Sequence, residues 1–252
     1  MPKNDILPKD ILLALVLLTR LPLPQLPPQA FQRQAKAVWA FPLAGLAVAL
    51  PAALLASLTL AAGLPAQVAA GLALATQILL TGAMHEDGLA DTADGLWGGF
   101  NRERRLEIMK DSRIGAYGVI ALILGLGLRW SALSALFAAA GVWPLLVLAM
   151  MSRAVMPALM AALPNARAAG LSQAVGRPHA LPCLLAAVLA VALSLLLIGG
   201  AAIGAALAMA TATAGLGALA KAKIGGQTGD ILGASQQIAE IAGLLSLLAI
   251  CR

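Results

Sequence analysis

The charged residues leave three long gaps, and those gaps constrain the fold more than any other feature. No Asp, Glu, Lys or Arg occurs from Ala37 to His85, from Ile114 to Leu128, or from Pro178 to Ala220. Stretches of this length hold one or two helices of roughly 20 apolar residues, the length that crosses the hydrocarbon core of a bilayer. Only 11% of the 252 residues are charged and 61% are hydrophobic, where soluble domains carry about 25% charged residues. The solvent of this chain is lipid.

The pattern predicts an all-α, polytopic integral membrane helical bundle of about seven transmembrane helices: Val38–Ala62, Ala66–Met84, Tyr117–Ala138, Val142–Leu163, Ala180–Ile198, Ala201–Ala220 and Ile231–Ile250. Gly63-Leu64-Pro65 and Gly199-Gly200 are expected tight turns. Lys3 and Lys9 precede a short apolar run, Ile11 to Leu18, followed by Arg20 and a Pro-rich stretch. With no small-residue cleavage site after it, the run reads as a short interfacial or re-entrant helix and not as a signal peptide. Residues 1–252 form one membrane domain, without an internal repeat or a linker.

If the spans alternate, the N-terminal segment, Glu86–Arg113, Asn165–His179 and Lys221–Asp230 all fall on one side. The opposite connections, near Gly63, Gly141 and Gly199, carry no charge. Lys and Arg mark the cytoplasmic side, which predicts a bacterial cytoplasmic (inner) membrane protein with its chemistry facing the cytoplasm. The formal charge of +6 then reflects retention of basic loops, not nucleic-acid binding. Cys183 and Cys251 sit in apolar segments without metal-ligand spacing and read as packing residues. Gly200/Gly204 and Gly229/Gly233 suit close helix packing, and Trp39 and Trp143 fall where an interfacial aromatic belt would place them.

Seven of the eleven acidic residues lie between Glu86 and Asp111. Asp87, Asp91 and Asp94 are spaced i, i+4, i+7, which stacks them on one face of a helix. Like charges at that spacing repel, so something must compensate, and Mg²⁺ is the natural candidate because it takes one or two carboxylates plus substrate phosphate and water. His85 precedes them as a catalytic or substrate-contacting candidate. Glu86 projects from another face and reads as a solvated neighbour. Arg102 to Glu107 alternates in sign and reads as a solvated helix face. Lys110, Asp111, Ser112 and Arg113 then lead into a glycine-rich start of the next span, where basic groups suit phosphate oxygens and Gly115 and Gly118 admit a close approach. The catalytic region is therefore expected at about residues 82–118.

Two other places carry charge that needs an account. Asp230 opens the last span beside Gly225-Gly226-Gln227-Thr228-Gly229 as a further ligand, a group that orients a nucleophile, a substrate contact or a helix-start charge. Arg153 and Glu240 fall near the middle of their predicted spans, where charges are costly and tend to pair; the expectation is that they pair with each other or line a substrate cavity.

His85-Glu-Asp-Gly-Leu-Ala-Asp-Thr-Ala-Asp-Gly95 followed by Arg105-Leu-Glu-Ile-Met-Lys-Asp-Ser-Arg-Ile-Gly-Ala-Tyr-Gly118 closely resembles cobalamin synthase, the adenosylcobinamide-GDP ribazoletransferase family. Leu18-Thr-Arg-Leu-Pro-Leu-Pro24, Ser152-Arg153, Leu163-Pro-Asn-Ala-Arg167 with Gly170, and Gly226-Gln-Thr-Gly-Asp230-Ile-Leu-Gly233 extend the resemblance over essentially the whole chain. Glu86 is the one departure, at a position where the pattern expects an apolar residue. The resemblance implies a Mg²⁺-dependent enzyme of the inner membrane. Its substrates would be adenosylcobinamide-GDP and α-ribazole or α-ribazole 5′-phosphate; GMP would leave and adenosylcobalamin, or its phosphate, would form. Asp87, Asp91 and Asp94 would hold metal. Lys110, Arg113 and Arg167 would neutralise phosphate, with Arg153 and Asp230 as further substrate contacts. An aspartate, Asp111 among them, or His85 would take the hydroxyl proton. The bilayer is the other expected partner, and a homo-oligomer is left open.

Two rival readings fare worse. CDP-alcohol phosphotransferases share the chemistry, but their motif begins DGxxAR, and Asp87-Gly88-Leu-Ala-Asp91 lacks the Ala-Arg step. A cation transporter would carry its acidic stripe at mid-membrane, whereas this one is expected at a span end beside a basic loop.

Overall fold

The computed structural model describes residues 6–168 and 170–250. Lys3 and Cys251 lie outside them. Among the described residues the chain is helical, with no β-strand beyond one isolated bridge, Asn165 to Gln227. A short helix α1 (Lys9–Leu18) is followed by a 3₁₀ segment (Pro28–Arg33), one turn α2 (Gln34–Ala37) and the long α3 (Phe41–Ala61). Then come α4 (Ala66–Thr81), α5 (Met84–Gly98), α6 (Arg102–Ile108), α7 (Ala116–Ala140), α8 (Trp143–Ala162), the short α9 (Leu171–Val175), α10 (Ala180–Ile198), α11 (Ala201–Ile224) and α12 (Gly229–Ile250).

Among the described residues, six helical segments are long and apolar enough to cross a membrane, and the pair α4 and α5, bent by 87°, makes a seventh crossing if it is taken as one span. The chain is thus a multi-pass membrane protein of six to seven spans, close to the expected number. The bend corrects one expectation. Residues from Glu86 onward do not leave the span as a loop; they form a second half-helix that packs inside the bundle against α12 and α7. Gly82 (φ +64°) and Ala83 (φ +57°) make the turn. Left-handed backbone costs Gly little and an alanine more, so the break sits where a glycine absorbs half of it.

α12 is the central element, packed against α5, α7, α8 and α11, while α3 is clasped between α4 and α8. Several hydroxyls within the spans return to their own helix: Thr59, Thr81 and Thr211 donate to the carbonyls of Leu55, Gln77 and Leu207. That satisfies these three groups where no water is at hand. The turn at Gly63 and the one at Gly199-Gly200 fall where expected.

α1 is too short to span and lies against α3. Asp10 ties it down: fully buried, its carboxylate accepts from Arg33 Nε at 2.8 Å and from Trp39 Nε1 at 3.3 Å. Burial alone would raise the Asp10 carboxyl, but Arg33, the Leu7 amide and Trp39 together hold it below the usual carboxylate range. Trp39 is therefore a hydrogen-bonded anchor, whereas Trp143 remains exposed at the start of α8.

Candidate active site

The acidic helix meets α12 through two glycines. A Cβ on Gly88 would stand 2.8 Å from the Asp230 carbonyl, and one on Gly233 would stand 3.3 Å from the Gly88 Cα. Only bare backbone lets α5 and α12 approach this closely, in the manner of small-residue membrane packing. Gly233 thereby fulfils the packing expectation, although a Cβ on Gly229 or Gly200 would meet nothing within 4 Å.

Beside this contact opens a polar cleft of about 170 Å³. Asp87 and Asp230 line it with Arg167; Asn165, Ser172, Gln227 and Thr228 complete its polar wall. Arg167 Nη1 lies 3.0 Å from Asp230 Oδ2, which also accepts from Thr228 Oγ1 at 3.2 Å. Opposite them, Ser172 donates to Asn165 Oδ1 at 2.9 Å, and the Gln227 amide donates to the same oxygen. The Asn165–Gln227 bridge holds this wall: Ala166 N–H donates to Gln227 O at 2.8 Å and Gln227 N–H to Pro164 O at 2.9 Å. Residues about sixty positions apart thus form one rim, with charge on one side and neutral hydrogen-bonding groups on the other.

The three aspartates of α5 have different environments. Asp87 is exposed, Asp91 half-buried and Asp94 buried. Asp91 feels the carboxylates of Asp87, Asp230 and Asp94, with Arg167 the offsetting charge. Asp94 is committed to α7. Its Oδ2 accepts from Gly115 N–H at 2.7 Å and its Oδ1 from Gly118 N–H at 2.9 Å, so it closes the helix N-terminus as a capping side chain from another helix. A Cβ on Gly115 would stand 2.5 Å from that carboxylate. The glycines expected to admit a phosphate therefore admit Asp94.

No three Asp, Glu, His or Cys side chains among the described residues converge closely enough to make an all-protein metal cage. Mg²⁺ does not require one, since it usually keeps waters and takes one or two carboxylates together with phosphate oxygens. Asp87, which lines the cleft, and Asp91, one turn further along the same helix and within the field of Asp87 and Asp230, are a donor pair that fits that habit.

The loop after α6 runs beside the acidic helix, with Met109 against Gly95 and Gly115 against Asp94. Lys110 is exposed on it. Arg113 pairs with Asp111, Nη2 to Oδ2 at 2.7 Å, and both are open to solvent. Arg113 holds the Asp111 carboxyl down to about 2. Lys110, Asp111 and Arg113 thus flank the acidic helix without lining the cleft itself. His85 does not line it either. It is 1% exposed, with Nε2 unpartnered, and borders a narrow apolar cavity shared with Leu18, Phe41 and Met160.

Three expectations fail in whole or in part. The stretch Arg102–Glu107 is a solvated face at Glu103, Arg104 and Glu107, but Arg102, half-exposed, donates to Ile224 O at 3.0 Å and Ala166 O at 2.8 Å, and Arg105 to Lys223 O at 3.0 Å. The Ile224 and Lys223 carbonyls lie at the end of α11, where a helix leaves its last acceptors free. Glu86 is not solvated either. It is buried, and its Oε1 lies 2.9 Å from Arg129 Nη1. Arg153 and Glu240 do not pair. Glu240 binds Arg129 at 2.9 Å, while Arg153, 2% exposed, donates to Ala149 O at 3.0 Å and lies in the field of both glutamates. Arg129 is the residue that the charge pattern passed over, although a lone arginine inside an apolar span was signal enough.

Comparison with known proteins shows the family of the chain. The family model for cobalamin-5-phosphate synthase matches residues 10–248. A Bradyrhizobium diazoefficiens protein named adenosylcobinamide-GDP ribazoletransferase is 49% identical over 242 residues, covering 94% of this chain and 92% of its own length. Proteins of the same name from Mesorhizobium japonicum and a Sinorhizobium species are 46% and 42% identical, each over 94% of this chain and over 91% and 95% of their own. No solved structure matches the chain.

Proposed function

The chain belongs to the cobalamin-5-phosphate synthase family, and on that premise we propose that it is an adenosylcobinamide-GDP ribazoletransferase working at the cytoplasmic face of the bacterial inner membrane. A ribose hydroxyl of α-ribazole, or of its 5′-phosphate, attacks the cobinamide-side phosphorus of adenosylcobinamide-GDP. One P–O bond forms, the pyrophosphate P–O bond breaks, GMP leaves, and the hydroxyl proton passes to a base of the site. The observation that carries this reading is the cleft itself, where Asp87 from the acidic helix meets Asp230 and Arg167 from distant parts of the chain.

Displacement at a pyrophosphate needs positioned charge more than covalent chemistry. Bound Mg²⁺ supplies neutralisation of the phosphate oxygens, and Asp87 and Asp91 are the carboxylates to hold it. Asp94 supports them by fixing the start of α7 against the acidic helix, and any share it takes in the metal uses lone pairs its two amides leave free. Arg167 is held by Asp230 until phosphate arrives; a phosphate oxygen competes for the same guanidinium. Lys110 and Arg113, on the flanking loop, meet the outer phosphates. The neutral wall of Asn165, Ser172 and Gln227 suits sugar hydroxyls, because amides and hydroxyls both donate and accept. Of the possible proton acceptors, Asp87 lines the cleft, Asp91 follows it one turn along the acidic helix, and Asp111 lies on the loop that flanks that helix. His85 could act only from the apolar cavity behind the cleft. Arg153, buried beneath, influences the site through charge.

The test is an assay of purified protein in detergent with adenosylcobinamide-GDP, α-ribazole 5′-phosphate and Mg²⁺. Stoichiometric GMP and cobamide, both abolished by a chelator and restored by Mg²⁺, support the proposal. GMP without cobamide would reduce it to a hydrolase.

A further inference from the structure

Nothing in the local backbone fixes the direction of the acidic helix. α5 follows α4 through an 87° bend made by two successive left-handed residues, so its orientation is not inherited from the helix before it. The Gly88–Gly233 contact sets how near α5 comes to α12, but two smooth helix surfaces in contact can still rotate and slide.

The Asp94 bonds to α7 and the Gln237 Nε2–Glu86 Oε1 bond at 3.0 Å each tie α5 to one neighbour, and one side chain ties all three helices together. Arg129, near the middle of α7 and 1% exposed, donates Nη1 to Glu86 of α5 at 2.9 Å and Nε to Glu240 of α12 at 3.1 Å. The same Nη1 reaches Gln237 Oε1 of α12 at 2.8 Å. A planar guanidinium has its donors in a rigid fork, so these bonds hold three helices in one register. The register matters because Glu86 directly precedes Asp87, and Glu240 shares its helix with Asp230, the two carboxylates of the cleft. Fixing one pair fixes the other.

We propose that Arg129 is a positioning residue that sets the relation of Asp87 to Asp230 through Glu86 and Glu240. The charge of Glu86, at the position where the sequence pattern expects an apolar residue, is one half of this clamp. The proposal rests on α5 being the reacting helix, and its test separates the two ideas. It does not place Arg129 in contact with substrate; displacement of catalytic groups by about 1 Å costs on the order of 100-fold in rate.

Arg129→Lys keeps the buried charge but loses the fork, and Glu86→Gln keeps volume while removing one anchor. Each is purified and its melting temperature, kcat and both KM values are measured. Each is also spin-labelled at Trp97→Cys on α5 and Leu245→Cys on α12, with Cys183 and Cys251 replaced by Ser, and the label-to-label distance is read by pulsed electron resonance. The expected result is kcat lower by about ten- to a hundred-fold, KM values close to wild type, and a broadened or shifted distance distribution. Wild-type kcat with only a lower melting temperature, or an unchanged distance distribution in both folded variants, would overturn the proposal. If Arg129→Lys fails to fold, Glu86→Gln decides the matter alone. If the wild type itself transfers nothing, the proposed function fails, and the distance measurement still decides the clamp.

Discussion

The Asp94 carboxylate accepts the Gly118 N–H at 2.9 Å across two helices, so a residue of the acidic motif is also the cap of the next transmembrane span. The motif and the glycine-rich start of α7 are thus one structural unit, although more than twenty residues separate them.

That unit predicts an unequal pair of substitutions. Asp94→Asn keeps one acceptor oxygen and should cost about 1 kcal/mol, the usual scale for a weakened cap. Asp94→Ala strands two amides, one of them buried, and should cost about 2–3 kcal/mol. Unfolding in mixed micelles measures both, and equal stabilities for Asp94→Ala and wild type would remove the capping role.

Gly88→Ala should be disproportionately harmful. Its new methyl would stand 2.8 Å from the Asp230 carbonyl, which forces α5 and α12 apart at the edge of the cleft. Overpacking of this kind typically costs about 1–3 kcal/mol, and a shift of about 1 Å at the site predicts a loss of on the order of 100-fold in kcat/KM. Gly215→Ala is the control, since nothing lies within 4 Å of its added methyl. Comparable activity in the two variants would contradict the close-packing account.

Asp111 gives a prediction in pH. Arg113 holds its carboxyl to about 2, below the ordinary 3.8. A depressed carboxyl contributes stability above its unfolded value, and that contribution is lost only as pH falls from near 3.8 through about 2. Both side chains are open to solvent, so the contribution is small. Asp111→Asn should therefore leave the shape of the rate profile between about pH 5 and 8 unchanged, whatever happens to its height. An acid limb that moves with this substitution would assign Asp111 the titrating role.

Much of this architecture is legible in the sequence because lipid imposes length and apolarity on every span. The turns at Gly63 and Gly199 and the placing of Asp87, Asp91 and Asp94 on one helix follow from local pattern. The bend at Gly82-Ala83 is not legible, since apolar residues continue up to it and hydropathy does not sense direction. On a helical wheel Glu86 faces away from the aspartates, and nothing local marks it as buried. Its partner, Arg129, comes from a helix that only the folded bundle brings near. Arg102 and Arg105 look wholly solvated for the same reason: two of the four carbonyls they satisfy belong to residues more than a hundred positions later. Local charge patterns identify which residues need partners, and tertiary packing decides who the partners are.

The most direct test of the central claim compares wild type with Asp91→Asn at saturating Mg²⁺ and both substrates, following GMP and cobamide together. Asp91 sits at the centre of the carboxylate field, between Asp87, Asp94 and Asp230, so its neutralisation bears on charge at the site more than on packing. The account predicts a folded variant whose cobamide production falls by about 100- to 1000-fold, the scale expected when electrostatic stabilisation of the transition state is weakened, here through the metal that Asp91 would hold. A folded Asp91→Asn protein that still forms cobamide near the wild-type rate would contradict it and move the chemistry off the acidic helix.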